Sequence, residues 1–278
     1  MSGIFACATI AIVSRARLVL CAIVLLGAAV GVAAADDRDP LGEARMLYNQ
    51  RQFAAAISAA ERAHLTPGLA DRADLIAARA YLERYRESAA PGDLANGRLR
   101  LRRLDPAAFS TRERVEYLVG LGETLYFDDA FGAAAVMFDS ALDVADGLTS
   151  DARERVLDWW ASALDRDGWP RPDIERQATY QRIRTRMRAE LASHPTSATA
   201  AYWAAAAARA QGDLQGAWDE AEAAWVRAPL TTDHGAALRA DLDRLMTRAI
   251  VPERAKALGQ PADTLQGEWE RFKERWDR

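Results

Sequence analysis

One spacing of residues recurs three times along the 278-residue chain and constrains its fold more than any single residue does. An aromatic residue or a leucine is followed three residues later by an alanine and seven residues after that by a second alanine. The copies are Phe53–Ala56–Ala63, Phe131–Ala134–Ala141 and Leu214–Ala217–Ala224. Because seven residues are two helical turns, both alanines of a copy lie on one face of a helix.

A small residue precedes each copy, on what the pattern predicts to be an earlier helix. Ala44, Gly122 and Ala205 each lie twelve residues before the first alanine of a copy, across a short turn. Small side chains on facing helices let two backbones approach to the short end of the usual interaxial range of about 8–10 Å. The pattern therefore predicts antiparallel helical hairpins that stack on one another, which is the unit of a helical repeat protein.

The beginning of the chain has the pattern of a secretory signal peptide. Arg15 and Arg17 precede an uncharged apolar run, Leu18–Val32, which ends in Ala33-Ala34-Ala35. A basic region, an apolar core of about 7–15 residues and an Ala-x-Ala site are the marks of such a peptide. We predict a signal peptide over residues 1–35, cleavage near Ala35, and a periplasmic or secreted product. A retained anchor is the alternative, although the run is shorter than the roughly 20 apolar residues that a spanning helix needs.

Composition narrows the function classes of the exported product. Both cysteines, Cys7 and Cys21, lie within the predicted signal peptide, so the product has no disulfide and no cysteine metal site. The whole chain carries 36 basic and 40 acidic residues. This acidic balance argues against general binding of nucleic acids.

Residues 36–278 form one predicted domain, in which nearly every segment has the pattern of an amphipathic helix. No run of alternating apolar residues between turn signals indicates a strand. Ser110 with Glu113 predicts a capping box, and Asp39 before Pro40 predicts a helix start. The predicted hairpins pair residues 40–50 with 54–65, 70–88 with 93–104, 111–126 with 130–145, 151–166 with 173–194, and 197–210 with 213–228. Two more helices are expected near 233–249 and 262–277, with a break at Val251-Pro252.

These hairpins resemble a known repeat family. The residues that carry the resemblance to the tetratricopeptide repeat are Leu118, Leu121, Gly122, Leu125, Phe131, Ala134, Phe138 and Ala141; then Ala205, Gly212-Asp213, Ala217, Ala224 and Pro229; and Ala44 to Ala63 with Pro67. The second and fourth hairpins depart from the repeat pattern. The resemblance implies an all-α, right-handed stack of antiparallel hairpins, an α-solenoid, whose first helices line a concave face that binds a protein or peptide.

The same resemblance predicts which residues line the concave face. Carried onto this sequence, the partner-binding positions are Arg45, Tyr48, Asn49, Glu116, Val119, Glu123, Tyr126, Tyr202 and Arg209. Tyr48, Tyr126 and Arg209 are equivalent, since each lies four residues after the small residue of its copy. The alternative is that these tyrosines pack between neighbouring hairpins.

Tryptophan is abundant, with eight residues in the chain. Trp269, Phe272 and Trp276 share one face of the last helix, which predicts a helix that caps the exposed end of the stack. A helix that docks in a partner's groove is the alternative. Trp159, Trp160 and Trp169 suggest a second candidate function, a tryptophan-lined pocket for a small molecule or a glycan.

Arginines form two clusters, at Arg98, Arg100, Arg102 and Arg103 and at Arg182, Arg184, Arg186 and Arg188. Such charge runs are typical of a solvated face paired with nearby acids. A docking surface for an acidic partner or for lipid head groups is the alternative.

No pattern of catalytic chemistry is present in the sequence. His64, His194 and His234 do not have metal-ligand spacing, and there is no phosphate-binding glycine loop, nucleophile elbow or His-Glu-x-x-His. We therefore expect no metal, no cofactor and no enzymatic activity. The expected function is that of a scaffold which binds a protein or peptide partner in a bacterial cell envelope. A subunit that folds only with its partner is a third possibility.

Overall fold

The computed structural model describes residues 39–144, 148–231 and 233–276. The predicted signal peptide, with both cysteines, lies outside these residues. The helices, in chain order, are α1 (Pro40–Asn49), α2 (Phe53–His64), α3 (Ala70–Ser88), α4 (Pro91–Leu101), α5 (Thr111–Phe127), α6 (Phe131–Leu142), α7 (Ser150–Gly168), α8 (Asp173–Ser193), α9 (Ala198–Ala210), α10 (Leu214–Arg227), α11 (Ala236–Leu245), α12 (Val251–Leu258) and α13 (Ala262–Trp276). No β-strand occurs in the described ranges, so the prediction of an all-α chain is confirmed there.

Local sequence explains where several helices begin. Asp39 accepts a hydrogen bond from the backbone amide of Leu41, with Pro40 as the first helical residue of α1. At the start of α5, Ser110 and Glu113 form the reciprocal capping box that their spacing predicts. The five predicted hairpins agree with the observed helices to within three residues at each end.

Consecutive helices pack against each other from α1 to α11. The first helices of the hairpins also contact one another, α1 with α3, α3 with α5, α7 with α9, and α9 with α11. This arrangement places residues from several first helices side by side, although the sequence separates them by tens of residues.

The small residues of the repeated pattern lie where helices meet. All six alanines of the three copies, together with Ala44 and Ala205, have no exposed surface. A methyl group added to Gly122 would lie 2.5 Å from the Phe138 ring, so the glycine makes room for this ring. Sixteen residues after Ala44 and Ala205, the positions equivalent to Phe138 hold the buried alanines Ala60 and Ala221. A glycine thus faces a large residue, whereas the two alanines face small ones.

The predicted break at Val251-Pro252 is wrong. The helix continues from α11 through a π-helical segment, Met246–Ile250, directly into α12. Proline has no amide hydrogen and its ring crowds the carbonyl four residues earlier, which here belongs to Arg248. The wider π-helical turn just before Pro252 accommodates both effects, so the chain does not need to leave the helix.

At the C-terminal end, α13 packs against α10 and α12. Trp269 is completely buried, with ring centroids 5.2 Å from Trp225, 6.3 Å from Trp218 and 5.6 Å from Phe272. We call these four residues the tryptophan cluster. Trp276, the third aromatic of the predicted apolar face, is half exposed. In the described ranges no helix combines the length and the apolar character that a membrane crossing requires.

Candidate binding site

A partly open space of about 430 Å³ lies between the first helices of the hairpins. Its lining residues come from α1, α3, α5 and α7, with Phe138 of α6 and the segment that precedes α7. We call this space the inner cavity; the residues that define its chemistry are Tyr48, Arg79, Glu83, Glu123, Arg155 and Trp159. A volume of this size lies within the range of about 300–1,000 Å³ that is usual for ligand pockets.

The structure brings together most of the residues that the tetratricopeptide register proposes. Six of the nine line the inner cavity, namely Arg45, Tyr48, Asn49, Glu116, Val119 and Glu123. Tyr126 lies behind the wall, with its ring centroid 4.8 Å from that of Trp159. Tyr202 and Arg209 do not line it; Tyr202 packs against Trp203, and Arg209 forms an ion pair with Glu253.

Sequence reasoning missed the residues that α3 and α7 contribute. Arg79, Glu83 and Arg86 lie on one face of α3 at helical spacing, and Arg155 and Trp159 lie four residues apart on α7. Both helices belong to the hairpins whose alanine pattern is degenerate. The spacing of charged and aromatic residues was therefore the available signal, rather than the repeat.

The charged groups at one side of the cavity are already paired. Arg45 binds Glu113 and Glu116 at 3.1 and 3.2 Å, and Arg112 binds Glu116 at 3.0 Å. The Ser110 hydrogen bonds and the neighbouring arginines outweigh the burial of Glu113 and lower the pKa of its carboxyl. This network joins α1 to α5 and leaves little unbalanced charge.

Arg79, Arg155 and Glu123 have no such pairing. Neither arginine has a carboxylate within ion-pair distance among the described residues, whereas Arg86 is paired with Glu83 at 2.5 Å. The Arg79 guanidinium lies 5.2 Å from the centre of the Tyr48 ring, and its Nε is buried without a hydrogen-bond partner.

Glu123 is the most perturbed acid of the cavity. Glu123 is only 6% exposed, and its Oε2 atom has no hydrogen-bond partner. Burial raises the pKa of the Glu123 carboxyl to about 7, and the nearby Arg79 only partly opposes this. Burial also raises the pKa of the Tyr48 hydroxyl. The cavity therefore holds an acid whose charge changes near neutral pH.

A wider groove of about 1290 Å³ continues from the inner cavity. The two share Tyr48, Asn49, Glu83, Leu148, Thr149 and Arg155. From there the groove runs past the ends of α6 and α8 to the beginnings of α9 and α11. We call it the outer groove. Its lining has more carboxylates than arginines, whereas the inner cavity has five arginines and three glutamates.

The three neighbouring tryptophans of the second candidate function are not brought together. Trp159 lines the inner cavity, Trp160 is buried in the core with 1% exposure, and Trp169 is 74% exposed at the end of α7. The Arg182 and Arg186 guanidinium groups lie over the Trp160 ring, at 5.6 and 5.7 Å from its centre. The prediction of a pocket lined by all three tryptophans is therefore wrong.

The second arginine cluster is paired with acids of neighbouring helices. Arg182 and Arg186 bind Asp139, while Arg184 and Arg188 bind Asp213 and Glu220. In the first cluster, Arg98 pairs with Asp128, and Arg100 pairs with Asp74 and Glu61. The expected face of paired charges is confirmed for these six arginines.

Within the described ranges, no group of three or more histidine, cysteine, aspartate or glutamate side chains has the arrangement of a metal site. His64 and His194 lie next to single carboxylates, Asp74 and Glu190, at helix ends.

Comparisons with known proteins add no relative. No family model, no curated protein and no solved structure matches this chain. The resemblance to tetratricopeptide repeats therefore rests on the residues of this sequence.

Proposed function

We propose that the protein is an exported, non-catalytic scaffold of the bacterial cell envelope, which binds an extended segment of a protein or peptide partner. The hairpins form a right-handed tetratricopeptide-like stack, α13 caps its end, and the partner lies along the first helices. The predicted signal peptide supports export, and the repeated alanine pattern supports the stack.

One observation supports this function above the others. Six of the nine residues proposed from the repeat register come together at one cavity, which opens into a longer groove between α1, α7, α9 and α11. A chain segment has the shape for this groove, with one side chain entering the inner cavity. Apolar walls, such as Val119 and Trp159, and polar groups, such as Asn49, suit recognition of this kind.

A light-activated cross-linking residue at two positions tests this proposal in cells. Asn49 is exposed and lines both the inner cavity and the outer groove, whereas Leu65, the residue after the end of α2, is 82% exposed and lines neither. We expect a defined cross-linked product from position 49 and none of the same mass from position 65. Tyr48→Ala should abolish the product, because it removes the aromatic wall beside the cross-linker. Equal products from both positions, or a product that survives Tyr48→Ala, would contradict the proposal.

Binding of a small molecule or a glycan is a second candidate, favoured by the volume of the inner cavity and by Trp159 in its wall. A fluorescence titration with sugars and cell-wall fragments tests it. Quenching at micromolar ligand that disappears in Trp159→Phe would support a small-molecule site, since seven other tryptophans remain as internal controls. Quenching that persists in this variant would place the ligand elsewhere.

A further inference from the structure

We infer that the inner cavity binds an anionic group, a carboxylate or a phosphate on an apolar or aromatic body, between Arg79 of α3 and Arg155 of α7 and beside the Glu123 carboxyl. This inference deepens the proposed function and rests on its location of the binding site. The group has two possible sources, a side chain of the partner that is acidic or phosphorylated and a free small acid. Both sources carry anionic oxygens on a carbon skeleton.

The first argument is the balance of unpaired charge. Of the charged side chains that line the cavity, Arg45, Arg86 and Arg112 have carboxylate partners. Those partners include the two cavity acids Glu83 and Glu116, so these acids are paired with arginines. The charged side chains of the lining that have no ion pair among the described residues are two arginines, Arg79 and Arg155, and one acid, Glu123. A cavity with this excess attracts an anion, because guanidinium groups form charge-assisted hydrogen bonds with carboxylate and phosphate oxygens.

The second argument is hydrogen-bonding capacity that the protein itself does not use. Glu123 is more than nine-tenths buried and faces the cavity, yet its Oε2 accepts no hydrogen bond. The buried Nε of Arg79 also has no partner. Buried polar groups without partners are costly. These two atoms are closed to solvent, so a ligand in the cavity meets the other carboxyl oxygen of Glu123 and the terminal nitrogens of Arg79, which are open and form no hydrogen bond with the described residues. A ligand anion accepts from Arg79, while a protonated Glu123 donates to the same anion.

The third argument is the apolar part of the wall. Ile76, Val119, Val156 and Trp159 line the same space, and the Trp159 ring is held edge-on by Phe127 at 5.5 Å. A hydrated inorganic ion gains nothing from these side chains. An organic acid or an acidic side chain places its carbon skeleton against them.

Protonation of Glu123 links this binding to pH. The charged and titratable groups that face it are Tyr48 on α1; Arg79, Glu83 and Arg86 on α3; and Arg155 on α7. Its pKa of about 7 means that the neutral fraction falls roughly tenfold between pH 6 and pH 8. The ionised carboxylate repels an anion and competes for Arg79, so binding is tighter at the lower pH. Bound anion raises the pKa of Glu123 further, so binding takes up protons near neutral pH.

Four probes of similar size test the inference on the purified protein by titration calorimetry. The probes are 3-phenylpropionate, phenyl phosphate, the neutral 3-phenylpropanamide and the cationic 2-phenylethylammonium. We expect the two anions to bind at least tenfold more tightly than the amide, and the cation to bind most weakly. Equal affinity for the anions and the amide, or preference for the cation, would overturn the inference.

Matched variants locate the site. Arg79→Gln and Arg155→Gln should each weaken the binding of 3-phenylpropionate about tenfold or more, since each removes a charge-assisted hydrogen bond. Arg72→Gln, seven residues before Arg79 on the same helix but outside the cavity, should leave the affinity within about twofold. Circular dichroism confirms that each variant is folded. Unchanged affinity in both cavity variants would overturn the inference.

Glu123→Gln separates proton linkage from simple charge attraction. This variant carries a permanently neutral group of the same shape, so it should bind 3-phenylpropionate equally at pH 6 and pH 8. The affinity of the wild type for 3-phenylpropionate should fall about tenfold from pH 6 to pH 8, because Glu123 loses its proton over this interval. The probe itself stays ionised at both pH values, so its own charge does not contribute to the change. A variant that keeps the wild-type pH dependence would contradict the role given to Glu123.

A peptide arm distinguishes the source of the anion. Acetyl-Leu-Phe-Glu-Leu-amide is compared with its Gln counterpart. Preference for the Glu peptide identifies an acidic side chain as the ligand, while binding of the free acids alone identifies a small acid. Neither result depends on the cross-linking at Asn49, so failure of the partner-binding scaffold and failure of the anion site are observed separately.

Discussion

The inner cavity and the C-terminal tryptophan cluster are built from helices of the same kind, but they use aromatic side chains in opposite ways. Tyr48 and Trp159 border open space and are half buried. Trp225 and Trp269 fill the space between α10 and α13 and are almost completely buried. The difference indicates that the tryptophan cluster is closed by packing, whereas the aromatic side chains of the inner cavity border space that the protein does not fill.

Their charged groups differ in the same way. In the tryptophan cluster, the Asp243 carboxylate accepts hydrogen bonds from Trp269 Nε1 at 2.9 Å and from Lys273 Nζ at 2.7 Å. In the inner cavity, Glu123 and Arg79 face each other without an ion pair. A carboxylate that accepts hydrogen bonds contributes to stability, whereas a buried carboxylate without partners reduces it.

The largest expected effect compares one tryptophan from each end. Trp269→Ala should reduce the free energy of unfolding by about 3–5 kcal/mol, because it empties a fully packed site. Trp159→Ala should cost less than about 2 kcal/mol, because this ring is partly exposed and already borders a cavity. Urea denaturation followed by circular dichroism measures both. Equal losses would show that the cavity end is packed as tightly as the cluster.

Glu123→Gln should stabilise the protein at pH 8 by up to about 3 kcal/mol. The folded pKa of about 7 lies above the usual value of a glutamate, so folding disfavours the charged form. This stability cost is absent below about pH 4, grows as pH rises, and is complete above pH 7. Glu274→Gln, at an exposed position of α13, serves as the control. Stability of the wild type that does not fall between pH 5 and pH 8 relative to Glu123→Gln would contradict this account.

Gly122→Ala should cost about 1–3 kcal/mol, because its methyl group would overlap the Phe138 ring in the wall of the inner cavity. Phe138→Ala alone should cost about 3–5 kcal/mol. The double variant reproduces the Ala44 and Ala60 pair of the first hairpin, so its loss should be smaller than the sum of the two. An additive loss, measured by thermal and urea unfolding, would mean that the two residues do not share space.

The smallest expected effect on stability is at Asp243, and its pH dependence is opposite to that of Glu123. Burial alone would raise the pKa of Asp243, but hydrogen bonds from Lys273 and Trp269 outweigh it and lower the pKa. Its contribution is therefore present at neutral pH and is lost as pH falls through the folded pKa. Asp243→Asn should cost about 0.5–1 kcal/mol at pH 7, since solvent screens this partly exposed group, and less below pH 3. A larger cost in acid than at neutral pH would contradict this sign.

Local patterns predicted the helices because their causes are local. The Ser110 and Glu113 capping box needs only residues three apart, and the alanines need only a regular helix. The helix continues through Pro252 because the wide turn before it is supported by the packing of α11 and α12 on α10, which no local pattern shows. Trp159 and Trp160 are adjacent in the sequence but do not share an environment, because neighbours on a helix point in different directions.

The sequence by itself determined which segments become helices, where small residues let them meet, and which residues of α1 and α5 face one side. Only the tertiary structure decided that Arg79 and Arg155 join Glu123 around one cavity, and that these three lack the pairing found elsewhere. The physical reason is distance along the chain. Helix formation and capping act over a few residues, whereas burial and charge pairing depend on which distant helices come into contact.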